Sequence, residues 1–257
     1  MMKVSLNKTK AIGQVIYVVE GDKTEPDLVK YIYSSILDYS VVQYSKLDNR
    51  VVFLQGADKY SRVFIVPALD SSVKHLCFGL SDNYFDRVYQ LLSVDYGLDV
   101  ENSAVFYLFD RDRESNRSKH VINAICKYVC ARGCNDNNEM NGLFLPSYPC
   151  IEAFLMNANV DQHEFSCGKD AKAYVSSKGY SIEGLNIGLI ENAVFLMMLM
   201  IESITGKKFN DSQLDDFKST NMSIFEYEET KWGKDRLYST LSLISISLLD
   251  LGIVELL

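Results

Sequence analysis

Proline is scarce in this chain: four residues in 257, against an apolar fraction of 47%. So few chain breakers with so much apolar surface exclude a disordered or Pro-rich chain and leave material for a sizeable core. Histidine is scarcer still, with three residues scattered at His75, His120 and His163, and the six cysteines contain no C-x-x-C pair. A zinc ribbon, which needs paired ligands from two segments, is therefore not expected. Cys126, Cys130 and Cys134 recur at i, i+4 and i+8, one stripe of a helix, and read as small buried residues in preference to metal ligands. In a reducing compartment they should be free thiols. Positive charge is also short: 26 Lys and Arg against 34 Asp and Glu give a net charge of −8. That excludes a general electrostatic grip on nucleic acid, though not a locally basic groove. No G-x-x-x-x-G-K-(S/T) segment occurs, so any ATP dependence must come from another protein. Long apolar runs are missing too. "AVFLMMLMI", Ala193 to Ile201, is too short to span a bilayer, lies between Glu191 and Glu202, and reads as a buried helix. The first residues lack the apolar core of a signal peptide, and the expectation is a cytoplasmic protein with no membrane partner.

What is present is an alternation of strand and helix signals. "VIYVV" (15–19) is an unbroken β-branched and aromatic run, the pattern of a parallel strand buried on both faces. A helix is predicted from Pro26 to Asp38, with Thr24 and Asp27 spaced like a capping box. Strands are predicted at 51–54, 62–66 and 75–78, a helix at 82–95, a strand at 104–110, a helix at 118–132, a short strand at 143–145, and a helix from Ile151. This order implies an α/β fold, a mostly parallel sheet flanked by helices, whose function gathers at the carboxyl ends of the strands. From about residue 166 to 257 the segments read as mainly helical, although "SLISIS" alternates and leaves a strand open. The expected organisation is an α/β domain over 1–165, with a β-rich insertion at about 45–80, followed by the helical part. There is no internal repeat and no low-complexity segment.

Two of the apolar strands end on acids. Glu20 closes the first, in "VVEGDKTEP", and Asp110 and Asp112 close a later one, in "LFDRDRES". Residues i and i+2 of an extended chain point the same way, so the two aspartates can converge, and Glu20 joins them if the strands are neighbours. Three such acids repel and raise one another's pKa. A divalent cation removes the conflict, and hard oxygen donors suit Mg²⁺ or Mn²⁺. The alternative is that these acids merely cap the helices that follow them. Glu25 and Asp27 lean that way, in the first turn of the first helix. Lys23 can contact a phosphate beside Gly21 or stay solvated. Arg111, Arg113, Arg117 and Lys119 follow the strand, and Lys231, Lys234 and Arg236 surround the single Trp232. Either cluster is a solvated face or a nucleic-acid contact.

"VIYVVEGDKTEPDLVKYI", "VFYLFDRDRES" and "SYPCIEAFL" together resemble the RloB-like family of Toprim-fold proteins, over about residues 14–160. The resemblance implies a Toprim fold and a Mg²⁺-dependent (or Mn²⁺-dependent) nuclease acting on DNA or RNA. In that reading Glu20, Asp110 and Asp112 are the catalytic and metal-binding acids. Glu152, on the third segment, is a further metal ligand or simply a favourable acid in a first helical turn. Lys23, Arg111 and Arg113 are the expected phosphate contacts. The resemblance also implies an effector of bacterial anti-phage defence, of the abortive-infection kind, acting with a separate ATPase partner. Self-association stays open, as does a non-catalytic reading in which the acids serve sensing and the C-terminal helices dock a partner.

Overall fold

A computed structural model describes residues 3–21, 23–42, 51–67, 88–112, 142–210, 214 and 217–257. The strand expected at 75–78, the helix expected at 118–132 with its cysteine stripe, and Arg113 lie outside these residues. The described chain is mixed α/β, with a mostly parallel central sheet flanked by helices. At the sheet's middle runs β2 (Gln14–Val19), in which every residue from Val15 to Val19 is buried. A strand without polar alternation must be covered on both faces. β2 pairs in parallel with β5 (Arg62–Pro67) and with β6 (Ser103–Asp110), setting Tyr17 opposite both Ile65 and Phe106. β4 (Val52–Gln55) and β3 (Ser40–Val42) add antiparallel beyond β5. With β7 (Leu143–Tyr148) and β10 (Leu241–Ser242), the strand order is β10-β7-β6-β2-β5-β4-β3.

The first helix, α1 (Thr24–Tyr31), continues into a π-helical turn at Ile32–Ile36. It starts earlier than predicted, and the capping box is not formed. Lys23 holds the N-cap position without a side-chain bond, and the Asp27 N–H goes to the Lys23 carbonyl at 2.8 Å.

The contacts of the chain gather into two compact units, one of residues 1–10, 109–115 and 145–257, the other of 11–108 and 116–144. They do not follow a cut near residue 165. In the first unit the helical C-terminal part folds with the ends of β6 and β7, and with β1 (Val4–Leu6), which pairs antiparallel with β11 (Val254–Leu256). Its helices are α2 (Ala153–Ala158), α3 (Gly168–Lys178), α4 (Ile187–Thr205), α5 (Phe217–Asp235) and α6 (Ile244–Asp250). The alternating "SLISIS" divides: its first residue lies in β10, and α6 begins two residues on.

Among the described residues α4 alone is long and apolar enough to cross a membrane by length and composition. Here it is a core helix, in contact with α2, α5 and α6. Ile190, Val194, Met197 and Ile201, spaced as one helical stripe, are fully buried. Its ends are conventional: Asn186 Oδ1 accepts the Leu189 N–H at 3.1 Å, and Gly206 closes the helix at φ 67°.

Candidate acid site

β6 does not stop abruptly at Asp110. The Arg111 N–H donates to the Ser147 carbonyl at 2.8 Å, which carries the extended backbone one residue further. Side chains therefore keep alternating: Arg111 is buried, while Asp110 and Asp112 on either side are partly exposed. Asp110 Oδ1 accepts the Ile151 N–H at 2.7 Å, so it anchors the "SYPCIE" segment just ahead of α2. Glu152 occupies the N-cap position of that helix. It is buried, its Oε2 has no hydrogen-bond partner among the described residues, and its Oε1 lies 3.7 Å from Lys172 Nζ on α3. Gly168, the first residue of α3, closes the group. A Cβ there would sit 3.5 Å from Asp112 Oδ2 and 3.3 Å from Cys150 Cβ. Burial pushes the Cys150 thiol strongly up in pKa, and the negative charges of Asp110 and Glu152 push it further. Its Sγ donates to the Gly168 carbonyl at 3.7 Å.

Three segments, 110–112, 150–152 and 168–172, thus meet in the first unit. The third was missed in the sequence, where "CGKDAKAY" reads only as helical. Its signal was a glycine opening a helix with Lys169 and Lys172 in the first turn and a half.

Asp110, Asp112 and Glu152 offer only carboxylate oxygens, the donor chemistry of Mg²⁺ or Mn²⁺. The unpartnered buried Oε2 of Glu152 fits a cation, because a buried carboxylate oxygen otherwise loses its hydration without return. As placed, no three His, Cys, Asp or Glu side chains among the described residues form a group that would hold a metal ion.

Glu20 belongs to the other unit. Its N–H donates to the Leu108 carbonyl at 3.1 Å, extending the β2–β6 ladder to the carboxyl end of β2. Glu25, expected as helix-start chemistry alone, is buried and folds back over Gly21, where any Cβ would collide with its carboxylate. A side chain at position 21 would have to push the end of the Glu25 side chain aside. Lys23 is exposed.

Arg111 is not a phosphate contact. Its side chain is wholly enclosed, with Nη2 2.8 Å from Glu229 Oε1 and the guanidinium 6.0 Å from the Phe225 ring centre. The contact with Glu229 is a close charge pair and not an aligned hydrogen bond, since none of the guanidinium nitrogens meets hydrogen-bond geometry. The physical reason is the same alternation that brings the aspartates outward. The basic cluster at Trp232 is also largely committed within the protein. Arg236 lies 4.3 Å over the indole, and Lys231 binds Glu164 and, at 2.7 Å, Ser239 Oγ. A cavity of about 580 Å³ opens beside this cluster, with Leu196, Met200, Tyr227 and Lys231 in its wall, and none of the candidate acids lines it.

No family model, curated protein or solved structure matches the chain.

Proposed function

We propose that this protein is a Mg²⁺- or Mn²⁺-dependent nuclease with a Toprim-like fold, which hydrolyses phosphodiester bonds in DNA or RNA. The observation that carries the reading is that Asp110 of the D-x-D strand end binds the Ile151 N–H beside Glu152, whose buried Oε2 has no hydrogen-bond partner among the described residues. Mg²⁺ sites commonly use one or two protein carboxylates and fill the remaining positions with water and substrate phosphate oxygens. A site without three preassembled acids is compatible with that habit. In this reading Asp110, Asp112 and Glu152 hold the cation, which when bound supplies an activated water and charge stabilisation at the leaving oxygen. The RloB-like resemblance makes Glu20, at the carboxyl end of β2, a further catalytic acid, as metal ligand or general acid/base. Lys172 and the exposed Lys23 offer cations to the phosphate. The spacing within "EGDKTEP", "FDRD" and "SYPCIE" supports the RloB-like assignment, and through it a cytoplasmic anti-phage effector that works with a separate ATPase. The net charge of −8 fits a narrow substrate or one delivered by a partner.

The second reading is a non-catalytic sensing or docking module. What favours it is the cavity of about 580 Å³ away from the acids, which falls within the size range of small-molecule sites. The test incubates the purified protein with plasmid DNA, single-stranded DNA and tRNA in Mg²⁺ or Mn²⁺, with and without a candidate ATPase. The nuclease reading expects metal-dependent cleavage of at least one substrate that EDTA abolishes. Cleavage of none under any condition turns the assignment to the module.

A further inference from the structure

The residue between the two candidate metal aspartates is a buried cation, and its partner comes from the C-terminal helical part. Arg111 contributes a full positive charge one residue from each of Asp110 and Asp112. Left alone, that charge would oppose the binding of a divalent cation nearby, and its own burial would be costly. Glu229, on α5, lies 2.8 Å from Nη2, and Phe225, one turn earlier on the same helix, packs its ring 6.0 Å from the guanidinium. Glu229 is held in turn: its Oε1 accepts the Tyr238 hydroxyl at 3.2 Å. On the strand side, the Arg111 N–H is bound to the Ser147 carbonyl, and Ser147 and Ser242 share a hydroxyl hydrogen bond of 2.8 Å. Arg111 is thus enclosed by α5 and by the segment that holds β9 (Tyr238–Ser239) and β10, both from the C-terminal part of the chain, outside the family resemblance.

We infer that Glu229 is a positioning residue of the acid site: it neutralises Arg111 and so keeps the surroundings of Asp110 and Asp112 negative enough to take a divalent cation. This rests on the reading of those aspartates as metal ligands. It makes α5, through Glu229, an integral part of the site.

The test measures Mn²⁺ affinity directly, from the electron paramagnetic resonance of free Mn²⁺, together with thermal melting by circular dichroism. Wild type is compared with Glu229→Gln and with the double variant Arg111→Met/Glu229→Met. Glu229→Gln leaves the Arg111 charge uncompensated and is expected to bind Mn²⁺ roughly tenfold more weakly. The double variant removes both charges, keeps position 111 buried, and is expected to bind within about threefold of wild type, because apolar replacement of a buried ion pair is generally tolerated. A merely structural role moves the melting temperature of Glu229→Gln and leaves its affinity alone, and that result overturns the inference. So does a double variant that folds but binds as weakly as Glu229→Gln is expected to. If Glu229→Gln does not fold, the double variant decides: affinity near wild type supports the inference and a larger loss overturns it. Wild-type protein that takes up no Mn²⁺ overturns the metal reading itself, and this inference with it.

Discussion

Three buried or half-buried acids of the first unit carry different consequences because their surroundings differ. Asp110 both ends β6 and accepts the Ile151 N–H, so its structural and chemical roles can be separated. Asp110→Asn keeps an acceptor for that N–H and removes the charge. It should leave stability within about 1 kcal/mol of wild type while lowering metal-dependent cleavage by about 100-fold or more, as seen by comparing melts with initial rates. Glu152, with an unpartnered Oε2, is the acid to which a cation offers most. Glu228 is the opposite case. It is fully buried on α5, accepts the Ser239 N–H at 3.0 Å, and has no part in the proposed chemistry. Burial pushes its pKa up from 4.5 to about 7. Between those values the folded protein holds a proton that the unfolded chain has released. Stability therefore falls as pH rises from about 4.5 to about 7 and levels off above that. The full ionisation cost is on the order of 3 kcal/mol. Glu228→Gln should melt higher than wild type at pH 8 and lose that advantage at pH 4.5, which paired melts at the two pH values will check.

At the scale of elements, the sheet gains its last strand from far along the chain, and one side chain fastens it. Asn157 of α2 is buried. Its Nδ2 donates to the Thr240 carbonyl at 2.8 Å, and its Oδ1 accepts the Ser242 N–H at 3.3 Å. Asn157→Ala leaves two buried backbone groups without these bonds and should destabilise the protein by about 2–4 kcal/mol in urea unfolding. The alternation of "SLISIS" left a strand open here but did not place it, because β10 is two residues long and only Ser242 of that stretch belongs to it. β2 and β6 were legible for the opposite reason: each is a long apolar run ended by an acid, and such runs must be buried on both faces. β7 runs past its predicted end because Pro146, Ser147 and Tyr148 look like a turn and instead continue the strand. Arg111 shows a signal that was present and unused. The same i, i+2 rule that sends Asp110 and Asp112 to one side sends the residue between them to the other. For Lys172 the only signal was its place early in a helix opened by a glycine, and only folding brings α3 to Glu152.

For the whole molecule, the division into two units places Asp110, Asp112, Glu152 and Lys172 with the C-terminal helices, and Glu20 with the N-terminal strands. The proposed ligands Asp110, Asp112 and Glu152 fold with the C-terminal helices, so a fragment ending near residue 165 lacks the elements that surround them. A chain cut after β8 (Glu164–Phe165) lacks α5 and β10. It should fail to give a cooperative thermal transition, a result that a single melt will report. The most direct measurement of the central claim is Mn²⁺-dependent phosphodiester cleavage by wild type, Glu20→Gln and Asp110→Asn, at matched concentration and with their melts recorded. The account predicts cleavage by wild type that EDTA abolishes, and a loss of about 100-fold or more in each variant without a matching loss of fold. Cleavage undiminished in both variants, or no cleavage of any DNA or RNA by the wild type, would contradict it.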